Sequence, residues 1–205
     1  MGMIKNLASI FFDSPRSYTN TVSIQELGNH YKNELNHFHL DQVWVASEYR
    51  YTKDILERFK YHSEREHAQR LSEYLIAIAD HCTGTLKDDE EWIIVPVPMH
   101  WSRYVIRGFD HISLLSKIVS ESIWIPSQKI ISTSFRFRQS KLSRMSRLAN
   151  KINAFIIHDD SPIIWKNIIL IDDVISSGST ANACAEVLKI AGAKKVIGWF
   201  IASNN

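Results

Sequence analysis

From residue 41 onward, apolar positions alternate between two patterns: short continuous runs, and stripes spaced three and four residues apart. Val43-Trp44-Val45-Ala46, Trp92-Ile93-Ile94-Val95, Ile168-Ile169-Leu170-Ile171 and Val196-Ile197 with Trp199-Phe200-Ile201 are runs rich in β-branched and aromatic residues. They predict strands, and runs without polar alternation predict strands covered on both faces. Ile55 and Phe59, then Leu71, Leu75, Ile78 and Cys82, then Ile112, Leu115 and Val119, then Cys184, Val187, Leu188 and Ala191 are helical stripes. Pro96 and Pro98 end the second run, and Gly192 stops the last helix, expected over 180–191. Residues 129–132 and 154–157 are shorter β candidates. The C-terminal order strand, helix, strand is a βαβ unit, so the class is α/β with a mostly parallel sheet flanked by helices.

Residues 1–40 are less patterned and are assigned to an N-terminal extension of unclear structure, with a turn at 13–17 and a short helix over 24–35. The domain proper spans 41–205.

The chemistry concentrates where one buried run stops. Ile171 is followed by Asp172 and Asp173, two spacers, then Ser176, Ser177, Gly178, Ser179 and Thr180, which open a helix. Ligands of open α/β sheets sit beyond the carboxyl ends of the strands. A turn of small residues lets backbone N–H groups converge on an anion, and the helix N-terminus adds unpaired donors and a favourable dipole. Two carboxylates beside such a cradle would repel a bare phosphate but would accept hydrogen bonds from sugar hydroxyls. A ribose 5-phosphate satisfies both, with phosphate in the turn and the 2′- and 3′-hydroxyls on Asp172 and Asp173. The plainer alternative is an Asx-type turn followed by a Ser/Thr helix cap. No G-x-x-x-x-G-K pattern is present, which argues against a P-loop ATPase.

Charge adds a second clue. The net charge is +2, yet residues 98–151 carry ten Lys/Arg against Asp110 and Glu121, a local +8 that leaves −6 elsewhere. Such a segment suits a polyanion: a pyrophosphate, a nucleotide or a nucleic acid. Two cysteines, Cys82 and Cys184, form no disulfide framework or metal site and are expected as buried small hydrophobes. His30, His37 and His39 lack thiolate or carboxylate partners at ligand spacing. The longest apolar runs are too short to span a membrane, and the 7–12 stretch is short for a signal peptide. A cytoplasmic protein without membrane insertion is the expectation.

The strand-Asp-Asp-turn-helix segment resembles the phosphoribosyl pyrophosphate motif of type I phosphoribosyltransferases. Three further blocks resemble the ComF family, competence-associated and amidophosphoribosyltransferase-like. They are Val95-Pro96-Val97-Pro98 with Arg103 and Arg107-Gly108-Phe109-Asp110-His111; Gln139, Leu142, Arg147 and Asn150 with Ala154-Phe155; and Tyr51 with Phe59-Lys60-Tyr61. Together they cover about residues 41–203. The resemblance implies a type I fold with a small N-terminal hood, placed at about 41–51, and a pyrophosphate-binding segment at Pro98, Met99, Arg103 and Arg107. It also implies a flexible loop carrying Gln139, Lys141, Arg144, Arg147 and Asn150, and Mg²⁺ delivered on the substrate near Asp172 and Asp173. The arginines could equally be solvated surface residues, and the loop a basic amphipathic helix.

Some departures bear on activity. Hypoxanthine-guanine enzymes carry an acid where this chain has Ser176, which cannot act as a base at neutral pH. Uracil enzymes carry Pro where this chain has Asp173. The family usually has Asn-Gln at Asp110-His111, so Asp110 is expected to bring negative charge near the pyrophosphate. Many relatives begin with a four-cysteine zinc ribbon, and residues 1–40 contain no cysteine. The expected activity is Mg²⁺-dependent pentosyl transfer from phosphoribosyl pyrophosphate to an unidentified acceptor, linked to DNA uptake. The alternatives are a non-catalytic competence protein binding a nucleoside monophosphate or single-stranded DNA, with other competence proteins as partners, and a nucleobase-salvage enzyme. Trp101, Tyr104, Phe109, Phe135 and Phe137 lie in the basic segment and would either stack on bases or join the core.

Overall fold

The computed structural model describes residues 25–27, 38–61, 66–82, 86, 90–133, 155–157 and 163–204. Its elements in chain order are β1 (Gln25–Glu26), β2 (Gln42–Glu48), α1 (Tyr49–Tyr61), α2 (His67–His81), β3 (Trp92–Pro96), α3 (Trp101–Arg107) and α4 (His111–Ile123). They continue with β4 (Ile131–Thr133), β5 (Phe155–Ile157), β6 (Asn167–Ile175), α5 (Ser179–Ile190) and β7 (Lys195–Ser203).

The main sheet has the order β1-β2-β7-β6-β3. β2, β7, β6 and β3 run parallel, and only the edge strand β1 is antiparallel. The continuous apolar runs are explained by coverage on both faces. On one face, Ile94, Ile169, Ile171, Ile197, Trp199 and Ile201 pack with Phe59, Leu71, Leu75, Ile78 and Leu115 of α1, α2 and α4. On the other, Val43, Val45, Ile93, Val95, Ile168, Leu170 and Phe200 meet Cys184, Ala185 and Leu188 of α5. Successive β6 residues thus feed opposite cores, as a period of two requires. Both cysteines are buried, as small apolar residues would be. β4 and β5 form a separate antiparallel pair near α5.

Three expectations are corrected. Residues 41–51, assigned to a hood, instead supply β2 of the main sheet and the first turn of α1. The helix over 24–35 is displaced at 25–26 by β1, where pairing with β2 (Leu27 N–H to Val43 O, 2.9 Å) outweighs a weak local pattern. β6 does not stop at Ile171 but runs through both aspartates to Ile175, because its ladder with β7 continues to Ser203. The turn at 13–17, the flexible-loop residues Gln139, Lys141, Arg144, Arg147 and Asn150, and Phe135, Phe137, His30 and His37 lie outside the described residues. His39 sits 3.7 Å from Glu186. Among the described residues no helix is long and apolar enough to cross a membrane.

Candidate functional site

β3 is followed by α3 and α4, which leads to one face of the sheet; β6 is followed by α5 on the other. The connections leaving these adjacent parallel strands therefore diverge and open a crevice at their carboxyl ends, the usual ligand position in such sheets. A cavity of about 210 Å³ occupies it. Pro98, Met99, Arg103 and Arg107 line it from the β3 side, and Asp172, Asp173, Ser176, Ser177, Gly178, Ser179 and Thr180 from the β6 side. The two separately predicted sets meet in one pocket. Lys60, His100 and His111 line it as well.

The turn is built by Gly178, which caps α5 at φ +70°. That left-handed conformation is strained for a residue with a Cβ. Ser177 Oγ lies 3.0 Å from Ser179 Oγ and accepts weakly from the Ser179 N–H at 3.4 Å. Ser176, Ser177, Ser179 and Thr180 are exposed to the cavity side. Across the crevice, Arg103 and Arg107 are four apart on α3 and so share a face. Arg103 is exposed, whereas Arg107 is buried, its Nη1 3.7 Å from Met99 Sδ and its guanidinium 5.3 Å from the Tyr61 ring centre.

The two aspartates are not equivalent. Asp173 belongs with Ile169 and Ile171 on the α1/α4 face, where Lys60 Nζ (2.6 Å) and His111 Nε2 (2.9 Å) both reach its Oδ2. Burial alone would raise its pKa, but the His111 hydrogen bond and the Lys60 charge hold it well below the usual carboxylate range. Asp172 is half-buried and turns the other way; its Oδ1 accepts from the Asp173 N–H at 2.9 Å. Among the described residues it forms no ion pair. Enclosure, and then the neighbouring Asp173 charge, push it up to about 8. The expectation of two carboxylates side by side on one sugar is therefore modified, since Asp173 is already engaged by the protein.

Asp110 is also relocated. It caps α4 by accepting from the Ser113 N–H (3.0 Å) and hydroxyl, and pairs with Lys129 at 2.9 Å. Although burial opposes it, these bonds keep its pKa low. Its charge is consumed at the helix end, and it is not among the residues lining the cavity. Lys60 and His111 were not assigned to the site from sequence. The available signal was spacing: His111, Leu115 and Val119 are four apart, which puts the imidazole on the buried stripe of α4.

No protein-family model matches the chain. Competence protein F of Haemophilus influenzae is 30% identical over 153 residues, covering 72% of this chain and 66% of that protein. DNA utilization protein YhgH of Escherichia coli K12 is 29% identical over 149 residues (71% and 64%), and Competence protein ComFC of Streptococcus pneumoniae 27% over 146 residues (70% and 60%). The chain belongs to the ComF family. It spans just under two thirds of the length of these relatives. Solved structures that overlap this ComF-family chain include a glutamine phosphoribosylpyrophosphate amidotransferase from Bacillus subtilis (TM-score 0.44, 16% identity, 65% of this chain and 25% of that one). A hypoxanthine-guanine phosphoribosyltransferase from Bacillus anthracis gives TM-score 0.42 and 15% identity, over 68% of this chain and 70% of that one. Overlaps of this size carry no argument about the chemistry of the pocket.

Proposed function

We propose that the pocket binds phosphoribosyl pyrophosphate. The observation that carries this reading is the convergence, on one cavity, of a helix-capping Ser/Gly turn, a carboxylate with no ion pair among the described residues and two arginines on the opposite wall. The 5′-phosphate takes the turn, where α5 supplies N–H donors and its dipole. The ribose hydroxyls donate to Asp172, and the pyrophosphate meets Arg103 and Arg107 through charge-assisted hydrogen bonds. Mg²⁺ carried on the phosphate oxygens would neutralise pyrophosphate charge. In transfer, the C1–O bond to pyrophosphate breaks as a bond from the acceptor forms, and inorganic pyrophosphate leaves. Isothermal titration with phosphoribosyl pyrophosphate and Mg²⁺ should show one site, weakened about a hundredfold in Asp172→Asn; no heat at millimolar ligand would overturn the reading. Pyrophosphate release with candidate acceptors then tests transfer separately from binding.

A second reading is single-stranded DNA binding by this face. Trp101 and Tyr104, 51% and 52% exposed on α3, flank Arg103 at the rim of the pocket, whereas Phe109 is core. Bases stack on such rings in a sequence-tolerant way. Trp101→Ala should weaken binding of a labelled oligonucleotide severalfold, and an unchanged affinity and salt slope removes this reading.

A further inference from the structure

Arg107 is a buried cation, and among the described residues no carboxylate pairs with it directly. Its nearest polar partner is His111, whose Nδ1 and Nε2 lie 3.2 and 3.0 Å from Nη1. His111 Nε2 is in turn 2.9 Å from Asp173 Oδ2, which Lys60 holds from the far side at 2.6 Å. These partners assign the imidazole proton. Arg107 can only donate and Asp173, being ionised, can only accept, so His111 stands between a donor and an acceptor and donates from Nε2 to Asp173. Phe59 and Phe109 stand edge-on to the ring at 5.9 and 6.4 Å and fix its plane. Four side chains from α1, α3, α4 and β6 thus form one chain of contacts that ends in the cavity at a guanidinium.

We propose that His111 is a positioning residue for pyrophosphate: anchored on Asp173 and Lys60, it aims the Arg107 guanidinium into the pocket and leaves its charge for the ligand. This rests on the reading of the pocket as a phosphoribosyl pyrophosphate site, and it adds a division of labour. Asp172 and the turn of residues 176–180 hold the ribose 5-phosphate part. The Lys60-Asp173-His111-Arg107 chain serves the pyrophosphate part alone. Groups that orient a ligand-touching side chain in this way commonly change affinity by about 10–100-fold.

The test compares two ligands that differ only by the pyrophosphate. Affinities of the full chain for phosphoribosyl pyrophosphate with Mg²⁺ and for ribose 5-phosphate are measured in wild type, His111→Asn and His111→Gln. Circular dichroism checks each fold. Asn is too short to bridge Arg107 and Asp173, whereas Gln retains one acceptor and one donor at the right reach. His111→Asn should weaken phosphoribosyl pyrophosphate about tenfold while ribose 5-phosphate stays within about twofold, and His111→Gln should restore most of the difference. Equal weakening of both ligands would mean a merely structural role and overturn the proposal, as would no change in either. If the Asn variant does not fold, His111→Ser takes its place beside the Gln variant: a selective loss for phosphoribosyl pyrophosphate that Gln restores supports the proposal, and an equal loss for both ligands or none refutes it. Wild-type protein that binds neither ligand sinks the reading of the pocket, and this inference falls with it.

Discussion

The two ends of the parallel sheet carry similar residues in opposite circumstances. At the amino end of β3, β6 and β7, Lys166 pairs with Glu91 at 3.0 Å and Lys194 with Glu90 at 3.0 Å, one partner of each pair being exposed. At the carboxyl end, Lys60, Arg107, His111, Asp172 and Asp173 are enclosed. There the two adjacent carboxylates are driven in opposite directions, one strongly acidic and one raised. Solvated pairs cost little and contribute little, whereas enclosed charges must each find a partner or await one. Asp173 has found its partner; Asp172 and Arg107 have none of opposite charge among the described residues. The difference separates the end that carries the proposed ligand site from the end that does not.

The largest way to break the comparison is Asp173→Ala. It strands Lys60 and His111 in a buried site and should cost about 3–5 kcal/mol in urea unfolding. Asp172→Asn, one residue away, should act on binding: affinity for phosphoribosyl pyrophosphate should fall about a hundredfold, near 2.7 kcal/mol, with no loss of folding stability. If the two substitutions had the same effect on both measurements, the distinction between the aspartates would be wrong.

The same pair sets a pH dependence. Asp173 has its folded pKa below the unfolded value near 3.9, so its contribution is present above about pH 4 and is lost on acidification. Asp172, raised to about 8, works the other way: its protonated form is favoured in the fold, and that stability is lost as pH rises toward 8. Without ligand, wild type should therefore lose stability relative to Asp172→Asn between pH 5 and 8. The difference should be on the order of 1 kcal/mol, because solvent reaches the half-buried side chain. A constant difference across that range would mean that Asp172 is ordinarily ionised.

How much of this was legible in the sequence follows from the range of the interactions. Most strands and helices were, because Ile168 to Ile171 and the Leu71–Ile78 stripe state their burial locally, but α3 was not. The pocket was largely legible too, since Gly178 and its serines lie in one turn and the Asp-Asp pair precedes it. The split roles of Asp172 and Asp173 were not. They come from the pleat, which sends neighbours to opposite faces, and from Lys60 and His111, brought to Asp173 across 113 and 62 positions by sheet topology. The short β1 was missed because two residues carry no periodicity and are fixed by β2 alone. Asp110 was misjudged for the opposite reason. A local cap, Asp followed three residues later by the Ser113 N–H it binds, outranked the long-range electrostatics inferred for it.

The smallest effect belongs to the amino end, and its smallness is what the comparison requires. Glu91 is 76% exposed and holds Lys166 from solvent. Its Coulomb gain is screened, and holding two long side chains in one geometry costs entropy, so the net contribution of such a pair is about 0–1 kcal/mol. Glu91→Gln should therefore shift urea unfolding by less than about 0.5 kcal/mol, and by less still at high salt. It should leave phosphoribosyl pyrophosphate affinity unchanged, since the side chain lies at the end of the sheet remote from the cavity. A loss comparable to that of Asp173→Ala would show that enclosure is not what separates the two ends.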